Sequence, residues 1–233
     1  MAMSNNSKRN DLRTKAIVLR RTKYGETDRI LNLLTLEGRK NCIARGVRKE
    51  KSKLAGAIEI FTVSDVVIHE SEKTELGILT SAKMTKNYMG IISDLSLFEL
   101  GSKIIKITNR VSENVDSPEL FNLVDQCFWA LDQKTSVELI ESFFLVNVMR
   151  ISGEELNLHR DILGDKLSSE LKYTWDSYEN ALKPALNGQI SADHIKLMRL
   201  MFSSPLKTVL QIKSTSQLMP EILYLVKSFA KTP

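Results

Sequence analysis

The sequence predicts an α+β protein in which a small closed β-barrel precedes an α-helical domain. Two observations predict the barrel. Short β-type segments separated by glycine-bearing turns follow one another up to about residue 83, and no helical crossover lies between them. The third observation is that apolar residues recur at helical spacing from about Asp94 onward. We therefore expect two domains, residues 1–83 and residues 84–233.

The strands of the barrel are predicted from short apolar or alternating runs. In the third run, Cys42 and Ala44 alternate with Asn41 and Arg45, which is the period of a half-buried strand. Glycines in the turns before and after the second run punctuate the pattern. The predicted strands are Ala16–Leu19, Arg29–Thr35, Lys40–Val47, Ile58–His69 and Leu76–Ala82.

The helices are predicted from apolar stripes and from residues that favour helix starts. In Ser117-Pro118-Glu119 the serine is an N-cap, the proline suits the first helical position, and the acid faces the positive end of the helix dipole. A helix capped by Ser191 is expected to end before Ser204-Pro205. We interpret the more polar stretch from Ser152 to Asn187 as a long connection with short helical pieces. The expected helix starts are Asp94, Ser117, Ser136, Ser191 and Pro220.

Composition places the chain among ordinary soluble globular proteins, with 42% hydrophobic and 26% charged residues in a length of 233. No apolar run approaches the ~20 residues that span a bilayer. The polar residues Asn5 to Asn10 stand where a signal peptide would need an apolar stretch. We expect a cytoplasmic protein.

The two cysteines are predicted to be packing residues. Cys42 and Cys127 are far apart in sequence and cannot build a disulfide framework or a cysteine-rich zinc site. Cys127 falls within the buried stripe of a predicted helix, and Cys42 falls in an alternating strand. We expect both thiols in the core.

Catalysis finds little support in the sequence. The histidines His69, His159 and His194 lie in unrelated contexts, without metal-ligand spacing. The glycines of the first domain are scattered as turn residues and form no phosphate-binding loop. Glu154-Glu155 is best read as a solvated acidic patch, because adjacent residues do not face each other. We therefore expect a protein that is not an enzyme and that needs no metal or cofactor.

Positive charge is concentrated at the start of the chain. Residues 1–56 carry fifteen Lys or Arg against five acids, whereas the remaining residues carry 18 basic and 23 acidic side chains. The net charge of +5 thus conceals a cationic first part and a mildly acidic body. This asymmetry indicates a polyanionic partner, with nucleic acid as the leading candidate.

Three basic groups are the candidate contacts to nucleic acid, and we expect the barrel to bring them to one side. The densest occupies nine residues with Gly46 and Ser52 between the cations, a composition that lets a loop follow a phosphate backbone. For any single basic run, the alternative interpretation is that its charged side chains are merely solvated at the surface. Tyr24 either stacks on a base or packs over the barrel end. The candidates are Arg20, Arg21, Lys23, Arg39, Lys40, Arg45, Arg48, Lys49, Lys51 and Lys53.

Four motifs follow one another in the first domain, namely Tyr24-Gly25-Glu26-Thr27-Asp28-Arg29-Ile30, Gly38-Arg39-Lys40, Ala44-Arg45-Gly46-Val47-Arg48-Lys49 and Ser52-Lys53-Leu54-Ala55-Gly56. In order and spacing they resemble the N-terminal domain of the RecO family. A looser match covers Leu197-Met198-Arg199-Leu200 and Ser204-Pro205-Leu206-Lys207 in the helical half.

The resemblance implies an OB-fold barrel followed by an α-helical domain, and a bacterial recombination mediator in DNA repair. It implies binding of single- and double-stranded DNA and annealing of complementary strands. It also implies loading of RecA, together with RecR, onto DNA coated by single-stranded-DNA-binding protein. Many family members bind zinc through cysteines in the helical domain, but this chain has His159-Arg160-Asp161-Ile162-Leu163-Gly164 where the first pair would fall. We therefore expect no zinc site here.

The resemblance also implies that the acidic, hydrophobic C-terminal tail of single-stranded-DNA-binding protein docks on the helical domain. Lys196, Arg199 and Lys207 are candidates for this contact, although they also suit solvent-facing positions on amphipathic helices. Two other functions stay open at this point. One is a protein–protein adaptor that docks RecR and binds DNA incidentally, and the other is an RNA-binding protein of the OB type.

Overall fold

The structure is a computed structural model that describes residues 10–71, 74–213 and 215–230. The chain divides into two compact units. The first comprises Met1–Tyr88 with Ile105–Phe121, and the second comprises Met89–Ile104 with Asn122–Pro233.

The first unit contains a five-stranded closed barrel, as the sequence predicts. Around the barrel the strands follow the order β1-β2-β3-β5-β4, and β4 pairs again with β1. All neighbours are antiparallel except β3 and β5, which pair in parallel. The strands are β1 (Asp11–Tyr24), β2 (Asp28–Thr35), β3 (Gly38–Ala44), β4 (Thr62–Ser71) and β5 (Thr74–Asn87).

The barrel interior is filled by residues that alternate along the strands. Leu31 and Leu33 of β2 and Cys42 and Ala44 of β3 belong to one buried cluster, which confirms the alternation predicted for β3. Cys42 and Cys127 are both fully buried, so their predicted packing role is confirmed. Burial raises the pKa of the Cys42 thiol to about 12, and it raises that of Cys127 as well. Both thiols therefore stay protonated near neutral pH.

The start of the predicted fourth strand differs from the structure. Ala55–Ile58 forms a 3₁₀ turn, and β4 begins only at Thr62. Phe61 adopts a φ of 59°, a left-handed conformation that interrupts an extended strand. Because Phe61 and Ile58 are buried in the core, this stretch has the apolar composition of a strand without its geometry.

Five helices begin within two residues of the predicted starts. The carboxylate of Asp94 accepts hydrogen bonds from the backbone of Ser96 and Leu97, at 2.8 and 3.2 Å. Ser136 accepts from the Leu139 amide, and Ser191 forms a capping box with His194. The helices are α1 (Leu95–Val111), α2 (Pro118–Asp132), α3 (Val137–Ile151), α4 (Ala192–Ser203), α5 (Leu206–Val209) and α6 (Met219–Phe229).

The prediction of short helical pieces between Ser152 and Asn187 is wrong. That stretch, which the structure describes completely, contains no helix and instead forms a hairpin of β6 (Tyr173–Asp176) and β7 (Ala181–Pro184). Tyr173 is fully buried and exchanges two backbone hydrogen bonds of 2.9 Å with Ile190. Such pairing joins residues distant in sequence, so local periodicity does not reveal it.

Two further findings concern the described ranges alone. None of the helices described there has the length and apolar character needed to cross a membrane. In the same ranges, no three His, Cys, Asp or Glu side chains are grouped in a way that could hold a metal ion.

Candidate nucleic-acid interface

Strand register brings two of the three predicted basic groups to one end of the barrel. Lys23 of β1 pairs with Arg29 of β2, and Arg29 pairs with Ala44, the last residue of β3. The end of β1, the start of β2 and the loop after β3 therefore meet there. We call this the cationic barrel end, and it comprises Arg20, Lys23, Arg29, Arg45, Arg48, Lys49, Lys51 and Lys53.

The third group lies at the other end, which corrects the expectation that all three converge. Arg39 and Lys40 follow the first residue of β3, about 17 and 13 Å along the strand from Ala44. The Arg39 guanidinium is 3.0 Å from the Glu113 carboxylate and donates to the Asn109 carbonyl at 3.0 Å. Lys40 is 2.8 Å from Glu70. Both cations are half-buried and already paired within the first unit.

Arg21 is tied to a neighbouring acid as well. Its guanidinium is 2.5 Å from the Glu59 carboxylate, and its side chain is only 24% exposed. By contrast, Arg20 and Lys23 on the same strand are exposed. Within the first basic group, Arg20 and Lys23 are thus better placed to meet a polyanion.

The basic loop, residues 45–53, combines exposed cations with buried anchors. Val47 is 3% exposed and Ile58, just beyond the loop, is 1% exposed, and both belong to the barrel core. Leu54 packs against the same core. These anchors leave the five basic side chains at the surface, namely Arg45, Arg48, Lys49, Lys51 and Lys53. The loop is therefore a fixed part of the barrel end with its charges directed to solvent.

Hydrogen bonds join the basic loop to the turn between β1 and β2. The Asp28 carboxylate accepts from the Gly46 amide at 2.7 Å and from the Thr27 hydroxyl at 3.0 Å. The Arg48 amide donates to the Thr27 carbonyl at 2.8 Å. The Gly46 amide is the main cause that lowers the pKa of Asp28, with further help from Thr27 and the nearby Arg45 and Lys49 charges. Asp28 thus connects the Tyr24–Ile30 motif to the basic loop.

Arg29 of this end is not among the predicted contacts, and the neighbouring Tyr24 has two open interpretations in the sequence. Arg29 becomes part of it only through strand register, which is not visible in the sequence. The turn motif in the sequence draws attention to Tyr24 but does not reveal whether its ring is exposed or packed. The residue is 53% exposed, so much of its surface is open to a ligand. Lys8 and Arg9, which contribute to the basic count of the chain start, lie outside the described residues.

The three candidates for partner binding in the second unit occupy different environments. Arg199 is half-buried and donates twice to the Leu158 carbonyl, at 3.0 and 2.6 Å, so it supports the connection after α3. The Lys207 ammonium lies 5.9 Å from the centre of the Trp129 ring. Lys196 borders a concavity of about 400 Å³, which Lys213 also lines. Its apolar lining consists of Leu197, Leu200, Ile212 and Leu218.

Comparisons with known proteins agree with this architecture. The model of the domain described as Recombination protein O N terminal matches residues 9–88, and that of Recombination protein O C terminal matches residues 93–232. A protein named DNA repair protein RecO from Dehalococcoides mccartyi is 28% identical over 229 residues, covering 93% of this chain and 88% of that protein.

Shorter matches have higher identity. The protein of the same name from Desulfosudis oleivorans is 36% identical over 142 residues, covering 59% of this chain and 55% of that protein. The protein of that name from Heliobacterium modesticaldum is 34% identical over 169 residues, covering 71% of this chain and 60% of that protein. Because the two domain matches together span both the barrel and the helices, the chain belongs to the RecO family of recombination and DNA repair proteins.

Proposed function

We propose that the protein is a non-catalytic recombination mediator that grips the DNA backbone with its cationic barrel end and anneals complementary strands. The observation that carries this proposal is the basic loop, where five exposed cations project from a segment anchored in the barrel core. With RecR, the protein then helps to load RecA onto DNA coated by single-stranded-DNA-binding protein. These last roles are what the resemblance to the RecO family implies, and the match of both family domains supports proposing them.

The chemistry of the site favours phosphate contacts over base-specific ones. Lys and Arg side chains neutralise phosphates and release condensed counterions, which gives an affinity that falls with salt. The cations here are exposed and carried by long flexible side chains, so they fix position on the backbone without reading sequence. Annealing requires such sequence tolerance, because any pair of complementary strands must be accepted.

Binding at the cationic barrel end is tested by replacing the five cations of the basic loop with alanine. We expect the slope of log affinity against log salt for a single strand to fall by about 3.5, since each of the five lost phosphate contacts contributes about 0.7. A matched control replaces five exposed cations elsewhere, namely Arg13, Lys106, Lys166, Lys172 and Lys183. An equal loss of slope in the control would assign binding to overall charge and overturn the proposal.

The same variant separates the mediator from the adaptor that docks RecR. If the five-fold alanine protein loses DNA affinity yet still binds RecR and supports RecA loading at the normal rate, DNA contact by this loop is incidental. The mediator proposal requires RecA loading to fall together with DNA affinity.

We further propose that the concavity bordered by Lys196 and Lys213 receives the tail of single-stranded-DNA-binding protein. An acidic, hydrophobic tail needs an apolar floor and a basic rim, and the leucines and lysines of this concavity supply both. Lys196 is 3.2 Å from Asp193, but both side chains are largely exposed, so this ion pair exchanges readily for another.

Replacing Lys196 and Lys213 with alanine is expected to weaken binding of a synthetic tail peptide by about tenfold, because two rim charges are lost. Fluorescence anisotropy of the labelled peptide measures this. Lys207→Ala is the control, since Lys207 lies over Trp129 instead. Unchanged affinity in the double variant would place the tail elsewhere.

A further inference from the structure

Tyr24 differs from the other aromatic residues of the first unit in being exposed. Its side chain is 53% exposed, whereas Phe61, Tyr88 and Phe121 are at most 5% exposed. An aromatic ring at the surface carries an apolar face that water solvates poorly. Exposed rings beside cations are a recurrent feature of proteins that bind single-stranded nucleic acid.

The position of Tyr24 places its ring beside the cationic barrel end. Tyr24 is the last residue of β1 and pairs with Asp28, directly after the pair of Lys23 and Arg29. Because strand residues alternate between faces, Tyr24 shares the outer face of β1 with the exposed Thr22 and Arg20. Arg20 is then about 13 Å away along the strand, and Thr22 about 7 Å.

The turn that carries the ring is also tied to the basic loop. The Arg48 guanidinium donates to the Gly25 carbonyl at 3.4 Å, and the Arg48 amide donates to the Thr27 carbonyl at 2.8 Å. These bonds bring a cation of the loop to the residue next to Tyr24. The ring and the cations that contact phosphate thus belong to one surface whose segments are already joined. Binding therefore requires little additional ordering of the protein.

We infer that Tyr24 stacks on an unpaired base and makes the cationic barrel end selective for single-stranded DNA. This inference rests on the proposed function. Bases in a duplex are stacked between neighbours and present no free face at the surface, whereas an unpaired base can turn its face to the ring. The cations contact phosphates of either form, and Tyr24 adds a contact that only the single strand provides.

The test compares full-length Tyr24→Ala, Tyr24→Leu and Tyr24→Phe proteins on a single strand and on a duplex of equal length. Stacking is worth about 1–3 kcal/mol per base, so Tyr24→Ala is expected to weaken single-strand binding by about 5- to 150-fold. We expect duplex affinity to change less than twofold. Phe keeps the ring and should restore affinity, while Leu keeps apolar volume without a ring and should not.

A Tyr24→Trp protein provides a second readout. Its fluorescence, relative to that of the wild type, is expected to be quenched by a single strand and unaffected by a duplex. Loss of both affinities to the same extent in Tyr24→Ala, or full affinity in Tyr24→Leu, would refute stacking while leaving the phosphate grip intact. Failure of the wild-type protein to bind either form would instead refute the proposed function, and this inference with it.

Discussion

At the scale of single residues, Asp28 organises the proposed interface although it carries the wrong charge for DNA. Its carboxylate lies among cations that would bind phosphate, and on electrostatic grounds alone its removal should strengthen binding. Its bonds to Gly46 and Thr27 act in the opposite direction, because they hold the start of the basic loop against the β1–β2 turn. The structure favours the second effect.

Two substitutions of Asp28 distinguish its electrostatic effect from its effect on loop attachment, because they are expected to change single-strand affinity differently. Asp28→Ala removes both the charge and the hydrogen-bond acceptor, and we expect single-strand affinity to fall severalfold because the loop loses its attachment. Asp28→Asn removes the charge but keeps an acceptor oxygen, so affinity should hold or rise. Equilibrium titrations at one salt concentration measure both variants.

Amide exchange at Gly46 serves as the control for this experiment, since exchange should quicken in Asp28→Ala and stay near wild type in Asp28→Asn. An increase of affinity in both variants would show that Asp28 acts only through its charge.

At the scale of elements, the two ends of the barrel use basic residues differently. At the start of β3, Arg39 connects the strand to the end of α1 through Asn109 and Glu113, and Lys40 connects it to β4 through Glu70. At the end of β3, the basic loop directs its cations outward. The same residue types therefore stabilise the fold at one end and form the proposed interface at the other.

This division predicts opposite consequences of mutation at the two ends. Replacing Arg39 with alanine is expected to lower the free energy of unfolding by about 1–3 kcal/mol, because the Asn109 carbonyl and Glu113 lose a charged partner. The DNA affinity of Arg39→Ala should change less than that of Arg48→Ala. The free energy of unfolding of Arg48→Ala, in turn, should be close to that of the wild type. Denaturant unfolding and DNA titration of the two variants decide this. Equal losses of affinity would extend the interface to both ends.

At the scale of the whole molecule, the sequence reveals the architecture better than the arrangement of charges. The barrel and most helix starts follow from alternation, glycine turns and capping serines, which are local signals. The β6–β7 hairpin lies in a polar and irregular stretch, and Arg39 is separated from the basic loop because β3 extends between them. Likewise, Arg29 joins the cationic barrel end, and Arg21 is paired with Glu59, only because the closed barrel sets their neighbours.

The uneven distribution of charge along the chain is a property of the whole molecule. Most of the excess positive charge belongs to the barrel half, and eight of its basic residues lie at the cationic barrel end. A single surface that neutralises phosphates on two strands lowers their mutual repulsion and increases their encounter rate. The central claim is that this surface, and in particular the basic loop, is what permits annealing.

The most direct test of that claim is the rate at which two labelled complementary strands anneal in the presence of the protein. We predict that the five-fold alanine variant of the basic loop reduces the rate to that of the strands alone. The control variant at Arg13, Lys106, Lys166, Lys172 and Lys183 should anneal nearly as fast as the wild type. Annealing at the wild-type rate by the loop variant would contradict the account.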